Sequence, residues 1–136
     1  MMIQSTDISA KCAFCMYAPC HMLVNRERWL QDLPKLKRNV RLDKIANKMV
    51  QYAVQNHDLE TVQLLGNEQL QHILKRAQVA QIVRQGSSAK QIHKAIMKEE
   101  DGSAREVMFS EKFAEFGAAT MRRFDGQIVM VQLFQE

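Results

Sequence analysis

Leu42, Ile45, Ala46, Met49, Val50 and Ala53 recur at i, i+3, i+4, i+7, i+8 and i+11, the spacing of an amphipathic helix with one buried stripe. Asn39 just ahead is a good N-cap, because its side chain can accept from an unpaired amide of the first turn. Asn56 and His57 mark the predicted end. Upstream, Pro19 suits the first turn of a helix, where its missing N–H is not needed. Cys20, Leu23, Val24 and Leu30 then fall near one face, predicting a helix from about Pro19 to Gln31, closed by Pro34 and followed by a basic connector over Lys35–Asn39. Residues 1–16 show no sustained period and read as a flexible N-terminal arm ahead of a single domain over residues 17–136.

Downstream, Asn67 can cap a third helix with Leu70, Ile73, Leu74 and Ala77 on its face, and Val79–Val83 fits either a helix end or an extended segment. Gly86 and Ser87 break the chain. Ser88-Ala-Lys-Gln91 has the spacing of a capping box, so a fourth helix is expected with Ile92, Ala95 and Ile96 inward. Glu99–Ser103 reads as a loop and Ala104–Met108 as a short helical turn.

The period then changes to two. Phe116–Arg123 and Gln127–Phe134 flank Asp125-Gly126, a tight-hairpin signal in which both turn positions favour positive φ. Ile128, Met130 and Phe134 point one way along the last strand; Val129, Val131 and Leu133 point the other. A strand apolar on both faces is covered on both faces, so helices are expected on each side of the sheet. The predicted class is α+β: an α/β/α sandwich with a small antiparallel sheet and a C-terminal β-hairpin.

Composition narrows the function more than the fold. The 136 residues are 46% apolar and 25% charged, which argues against disorder, and five Gly with two Pro exclude collagen-like chains. No window is apolar enough to span a bilayer and no secretory leader is read, so a cytoplasmic protein, peripheral to a membrane at most, is expected. The charge is 19 Lys+Arg against 15 Asp+Glu, or +4. It is concentrated between Arg26 and Lys48, which hold eight basic and three acidic residues. Arg26, Arg28, Lys35, Lys37, Arg38 and Arg41 are therefore candidate contacts for an anionic partner, against the simpler reading of a solvated face. Trp29 is the one aromatic in that run, so stacking on nucleic acid is not expected.

Chemistry-bearing residues are sparse. Cys12, Cys15, Cys20 and His21 raise a zinc site, but adjacent Cys20 and His21 at a helix start are poor geometry for two arms of a tetrahedron. Reduced thiols, with Cys20 on a core face, fit better; Cys12 and Cys15 are weaker candidates for palmitoylation. His57, His72 and His93 are dispersed and read as surface or capping residues, and no glycine-rich phosphate loop is present. Met49, Met97, Met108 and Met130 occupy apolar-face positions and read as core filler, with an adaptable lipid-facing pocket as the sharper alternative. No catalytic residue, cofactor or metal is expected.

In this order the segments resemble the CAP superfamily (the SCP, or pathogenesis-related protein 1, domain). Leu23-Val-Asn-Arg-Glu-Arg28 with Leu33-Pro-Lys-Leu36 is similar to that family's first helix and the "LPxL" after it, and Leu42-Asp-Lys-Ile-Ala46 to the start of its second. Ser88–Met97 resembles the helix before the family's "GHRxNIL" run, Phe113-Ala-Glu-Phe-Gly117 its "FxxxG", and Val129-Met-Val-Gln-Leu-Phe134 its closing strand. The resemblance covers residues 20–136 and implies an α/β/α sandwich with a cleft often lined by two His and two Glu, sometimes around a divalent metal. The matching positions here are Met49, Ala80, Ser103 and Arg105, so the tetrad is lost. The disulfides of secreted members are missing too, as in the intracellular, Golgi-associated members that bind acidic membranes. The resemblance implies a non-enzymatic module binding a lipid, an acidic membrane surface or a protein partner. The alternatives are a hydrolase-like enzyme using His57, Ser103 or Glu106, and a structural module that forms a homodimer.

Overall fold

A computed structural model describes residues 20–56, 59, 60, 62 and 78–136. In chain order these form α1 (20–30), β1 (Lys37–Arg38), α2 (Val40–Asn56), β2 (Val79–Gly86), α3 (Ala89–Lys98), α4 (Ser103–Met108), β3 (Glu115–Arg122) and β4 (Ile128–Gln135). The four strands make one sheet in the order β1-β3-β4-β2. β4 pairs antiparallel with β2 on one edge and with β3 on the other. β1 pairs parallel with β3 through Lys37 and Arg38, so the sheet is mixed rather than purely antiparallel. The Lys35–Asn39 connector thus contains a strand, and the ambiguous Val79–Val83 run is part of β2. The third helix expected over 67–77 and the arm over 1–16 lie outside the described residues.

The two-sided burial of the last strand is borne out. Residues Ile128 to Phe134 of β4 are all buried. Ile128, Met130 and Phe134 enter a core with Cys20 and Val24 of α1, Ile92 and Ile96 of α3, and Ala104 and Met108 of α4. Val129, Val131 and Leu133 enter a second core under α2, with Leu42, Ile45, Ala46, Met49, Val50 and Ala53. These six are the stripe read from the sequence. Each large buried side chain contributes about 1.5–3 kcal/mol, so neither core is dispensable. Of the four methionines expected in the core, Met49, Met108 and Met130 are buried and Met97 is half-buried against it, and the Met130 sulfur lies 3.6 Å from the Cys20 Sγ.

Local signals fix where the helices start and stop. Asn39 Oδ1 accepts from the Leu42 N–H at 3.1 Å, the predicted cap of α2. Ser88 Oγ accepts from the Gln91 N–H at 3.1 Å, while Gln91 Oε1 reaches the Ser87 N–H at 2.8 Å, one residue earlier than a capping box requires. α1 ends before Pro34 is reached. The Leu33 N–H donates to the Arg28 carbonyl and the Asp32 N–H to the Trp29 carbonyl, with Asp32 left-handed at φ 58°, which is a Schellman motif. The β3–β4 hairpin turns through Arg123–Gly126, where the Gly126 N–H donates to the Arg123 carbonyl. Only Gly126 has positive φ there, so the tight turn with two positive-φ residues is replaced by a longer one.

β1 covers only the first two residues of β3, and α2 takes over from it. Asp43 Oδ1 accepts from the Ala118 N–H at 3.0 Å, supplying a partner where the short β1 offers none. The approach is close enough that a Cβ on Gly117 would sit 2.4 Å from the Leu42 Cβ and 2.6 Å from the Asp43 backbone nitrogen. Gly117→Ala is therefore expected to cost about 1–3 kcal/mol or more in urea unfolding, because backbone must move. Asp32→Gly relieves a left-handed Asp and is expected to stabilise by about 0.5–1 kcal/mol in the same assay.

Candidate functional site

The four positions where the resemblance places a polar cleft are distributed over both faces of the sheet. Met49, 3% exposed, is in the core under α2. Ala80 of β2 packs against the other core. Ser103, the first residue of α4, lines a cavity of about 340 Å³ with Gln81, Ile82, Arg84, Ala104 and Val107. Arg105 turns back to the end of α3, where its Nη1 donates to the carbonyls of Ile96, Met97 and Glu99 at 3.2, 3.3 and 2.5 Å. It thereby satisfies acceptors that a helix C-terminus leaves unpaired. At the cavity, Arg84 is held bidentately by Glu99 at 2.7 and 3.0 Å, and this hydrogen-bonded pairing keeps the Glu99 carboxyl below its usual range. An alanine, a serine hydroxyl, a buried thioether across the sheet and a committed guanidinium do not fit a divalent cation. Among the described residues no group of three or more His, Cys, Asp or Glu comes together.

The basic segment is divided by the fold. Arg28 is a correction: its side chain is 1% exposed and cannot meet an outside anion. Its Nε donates to the Pro34 carbonyl, and its Nη1 to those of Met108 and Ser110, each at 2.9 Å, tying α1 to the end of α4. Arg26 is exposed on α1. Lys35, Lys37, Arg38 and Arg41 are exposed where the chain leaves α1, forms the sheet edge and enters α2. Lys44 and Lys48 continue from Arg41 at i+3 and i+7 on the solvent face of α2. Two carboxylates lie among them: Asp43 binds Arg38 Nε at 2.8 Å as well as the Ala118 amide, and Glu115 of β3, in register with Lys37, accepts from Asn39 Nδ2 at 2.5 Å.

The thiols and imidazoles are placed unevenly. Cys20 is buried and in no disulfide, and burial pushes its thiol up to about 12, so it is a core thiol and not a thiolate ligand. Cys12, Cys15, His57 and His72 lie outside the described residues. His93 is neither a surface nor a capping residue: it is buried on α3, with Nε2 2.9 Å from Glu27 Oε2 of α1. The partners are 66 positions apart on different helices, so no sequence spacing announces them. His21 leans on the Phe116 ring, with centroids 5.4 Å apart. Burial, then the nearby Lys35, lower its pKa from 6.5.

A mixed sheet covered by helices on both faces, with a cationic edge, is thus the class of protein the fold defines. The cysteine-rich secretory protein family, CAP, matches residues 21–134, and the chain belongs to it. No curated protein matches the chain. A cysteine-rich secretory protein from Staphylococcus aureus superposes with a TM-score of 0.71 at 19% identity, covering 91% of this chain and 39% of its own. This chain therefore spans about two fifths of that protein. An outer surface protein from Borrelia burgdorferi gives 0.69 at 18% identity over 85% of this chain and 88% of its own. Venom allergen-like protein 4 from Schistosoma mansoni gives 0.63 at 12% over 90% and 86%.

Two outcomes check the geometry. Arg28→Ala leaves three carbonyls without their donor and is expected to lose at least about 3 kcal/mol in urea unfolding, whereas Arg26→Ala stays near wild type. Because His21 binds its proton less readily folded than unfolded, it lowers stability as pH falls below 6.5. The gap in Tm between wild type and His21→Gln should therefore shift in the variant's favour on acidification.

Proposed function

We propose that this CAP domain is a non-enzymatic module that binds an acidic membrane surface, peripherally and on the cytoplasmic side. The observation that carries the reading is the row Lys35, Lys37, Arg38 and Arg41, exposed together along the sheet edge, where Asp43 is engaged by Arg38 and the Ala118 amide and Glu115 by Asn39. A Lys or Arg near an anionic leaflet contributes about 1 kcal/mol, so Lys35, Lys37 and Arg41, beside the Arg38 already paired with Asp43, can sum to useful affinity without a pocket. The four positions that the resemblance points to support the non-enzymatic part of the reading, since they do not converge and none presents a carboxylate or imidazole for catalysis. The cytoplasmic side rests on Cys20, which is buried and in no disulfide. Among the described residues no helix is long and apolar enough to cross a membrane.

Co-sedimentation with phosphatidylcholine vesicles, with and without phosphatidylserine, tests this. Binding is expected only with phosphatidylserine and should weaken as salt is raised. Lys35→Ala with Lys37→Ala should lower the affinity on the order of tenfold. Equal binding to both vesicles, or to neither, overturns the proposal.

A further inference from the structure

α1 carries apolar residues on two opposite faces. Cys20 and Val24 point into the core, whereas Met22, Trp29 and Leu30 are 69%, 74% and 56% exposed. Positions 22, 26, 29 and 30 share one face of a helix, so Arg26 lies within this outward stripe. Among the described residues the other exposed large apolar side chains are Val40 and Phe124, one each on other elements. Scattered apolar residues are ordinary on a surface; three on one short helix are an exposed patch.

Lysines border the stripe on both flanks. On one flank, Asn25 makes two hydrogen bonds with the Leu36 backbone, at 2.8 and 3.2 Å, laying residues 35–37 beside α1. Leu36 is buried there, and Lys35 and Lys37 are exposed. Glu27, two residues on and about 200° around the helix, meets His93 of α3 on the other flank. There a shallow cavity of about 220 Å³ is lined by Leu23, Leu30, Arg26, Lys90 and Lys94. The carboxylate beside the stripe, Glu27, is bound by His93, and Asp32 lies beyond the helix end.

We propose that the outward stripe of α1 enters the interface of an anionic phospholipid bilayer. Met22, Trp29 and Leu30 sit at the boundary of headgroups and acyl chains, while Arg26, Lys35, Lys37, Lys90 and Lys94 meet the phosphates. The inference rests on the membrane reading above and says which helix inserts. An apolar ridge with cations on both sides complements a laterally uniform anionic surface. Tryptophan suits that depth, since its ring prefers the apolar side and its N–H the wet one.

Trp29 is the only tryptophan in the chain, so its fluorescence reports this surface alone. Phosphatidylcholine–phosphatidylserine vesicles should shift its emission to the blue, and acyl-brominated phosphatidylcholine in them should quench it; pure phosphatidylcholine should do neither. Met22→Ala with Leu30→Ala, which keeps the tryptophan, should lower vesicle affinity on the order of tenfold. If the protein sediments with the anionic vesicles while emission and quenching stay unchanged, this inference falls and the membrane reading stands. If it does not sediment, both fall. A blue shift that grows with protein concentration without lipid, matched by a dimer in analytical ultracentrifugation, overturns the inference in favour of a second copy covering the stripe.

Discussion

β4 is hydrogen-bonded on both edges and packed on both faces, and the rest of the molecule is arranged to permit this. Its residues Ile128 to Phe134 cannot meet water anywhere, so apolar layers must lie above and below. α2 supplies one layer; α1, α3 and α4 supply the other. The Phe116 ring stands edge-on to Phe134 at 5.0 Å, so β3 contributes to the same core. With the sheet faces consumed by packing, what remains for recognition is the outer surface of the helices and the sheet edge.

That edge is where packing and charge meet. β1 is two residues long, exposed and basic, which blunts an otherwise available strand edge. β3 has backbone donors beyond the reach of so short a partner, and Asp43 takes the Ala118 amide. The same carboxylate binds Arg38, so the residue that completes the sheet also neutralises one cation of the row and leaves the positive charge to Lys35, Lys37 and Arg41. Arg28 acts in the reverse sense. Its guanidinium is withdrawn from that row into the interior, where it holds α1 against the end of α4 and thereby sets the direction in which Trp29 and Met22 face.

The cleft and the outer surface follow different logic. At the cleft positions the polar groups are either missing, as at Ala80, or committed to the fold, as at Arg105, whose bonds close α3. At α1 the apolar groups are present and uncommitted to the core. Positions without a converging set of polar groups cannot hold a small charged ligand, whereas an apolar ridge bordered by lysines complements an extended anionic surface.

Periodicity alone determined the α2 stripe, the two faces of β4 and, from these, a sheet covered on both sides; on α3 it placed Ile92 and Ile96 correctly, but Ala95 is exposed and His93 takes the inner position. Such patterns are readable because each element must bury its own apolar face whatever its neighbours are. The Asn39 and Ser88 caps were legible for a similar reason, since their partners lie within three residues. Tertiary structure decided what depends on distant partners. Arg28 reads as one more basic residue until the carbonyls of Met108 and Ser110, 80 and 82 positions away, are brought to it. His93 becomes a buried contact only when Glu27 reaches it from α1, and Lys37–Arg38 become a strand only because Glu115 and Phe116 pass alongside. Leu30 reads as a partner of Val24 on the core face, yet the fold turns it outward beside Trp29. Which face of α1 turned inward was decided by the three carbonyls that hold Arg28 and by the Leu36 backbone that holds Asn25, contacts that exist only in the folded chain.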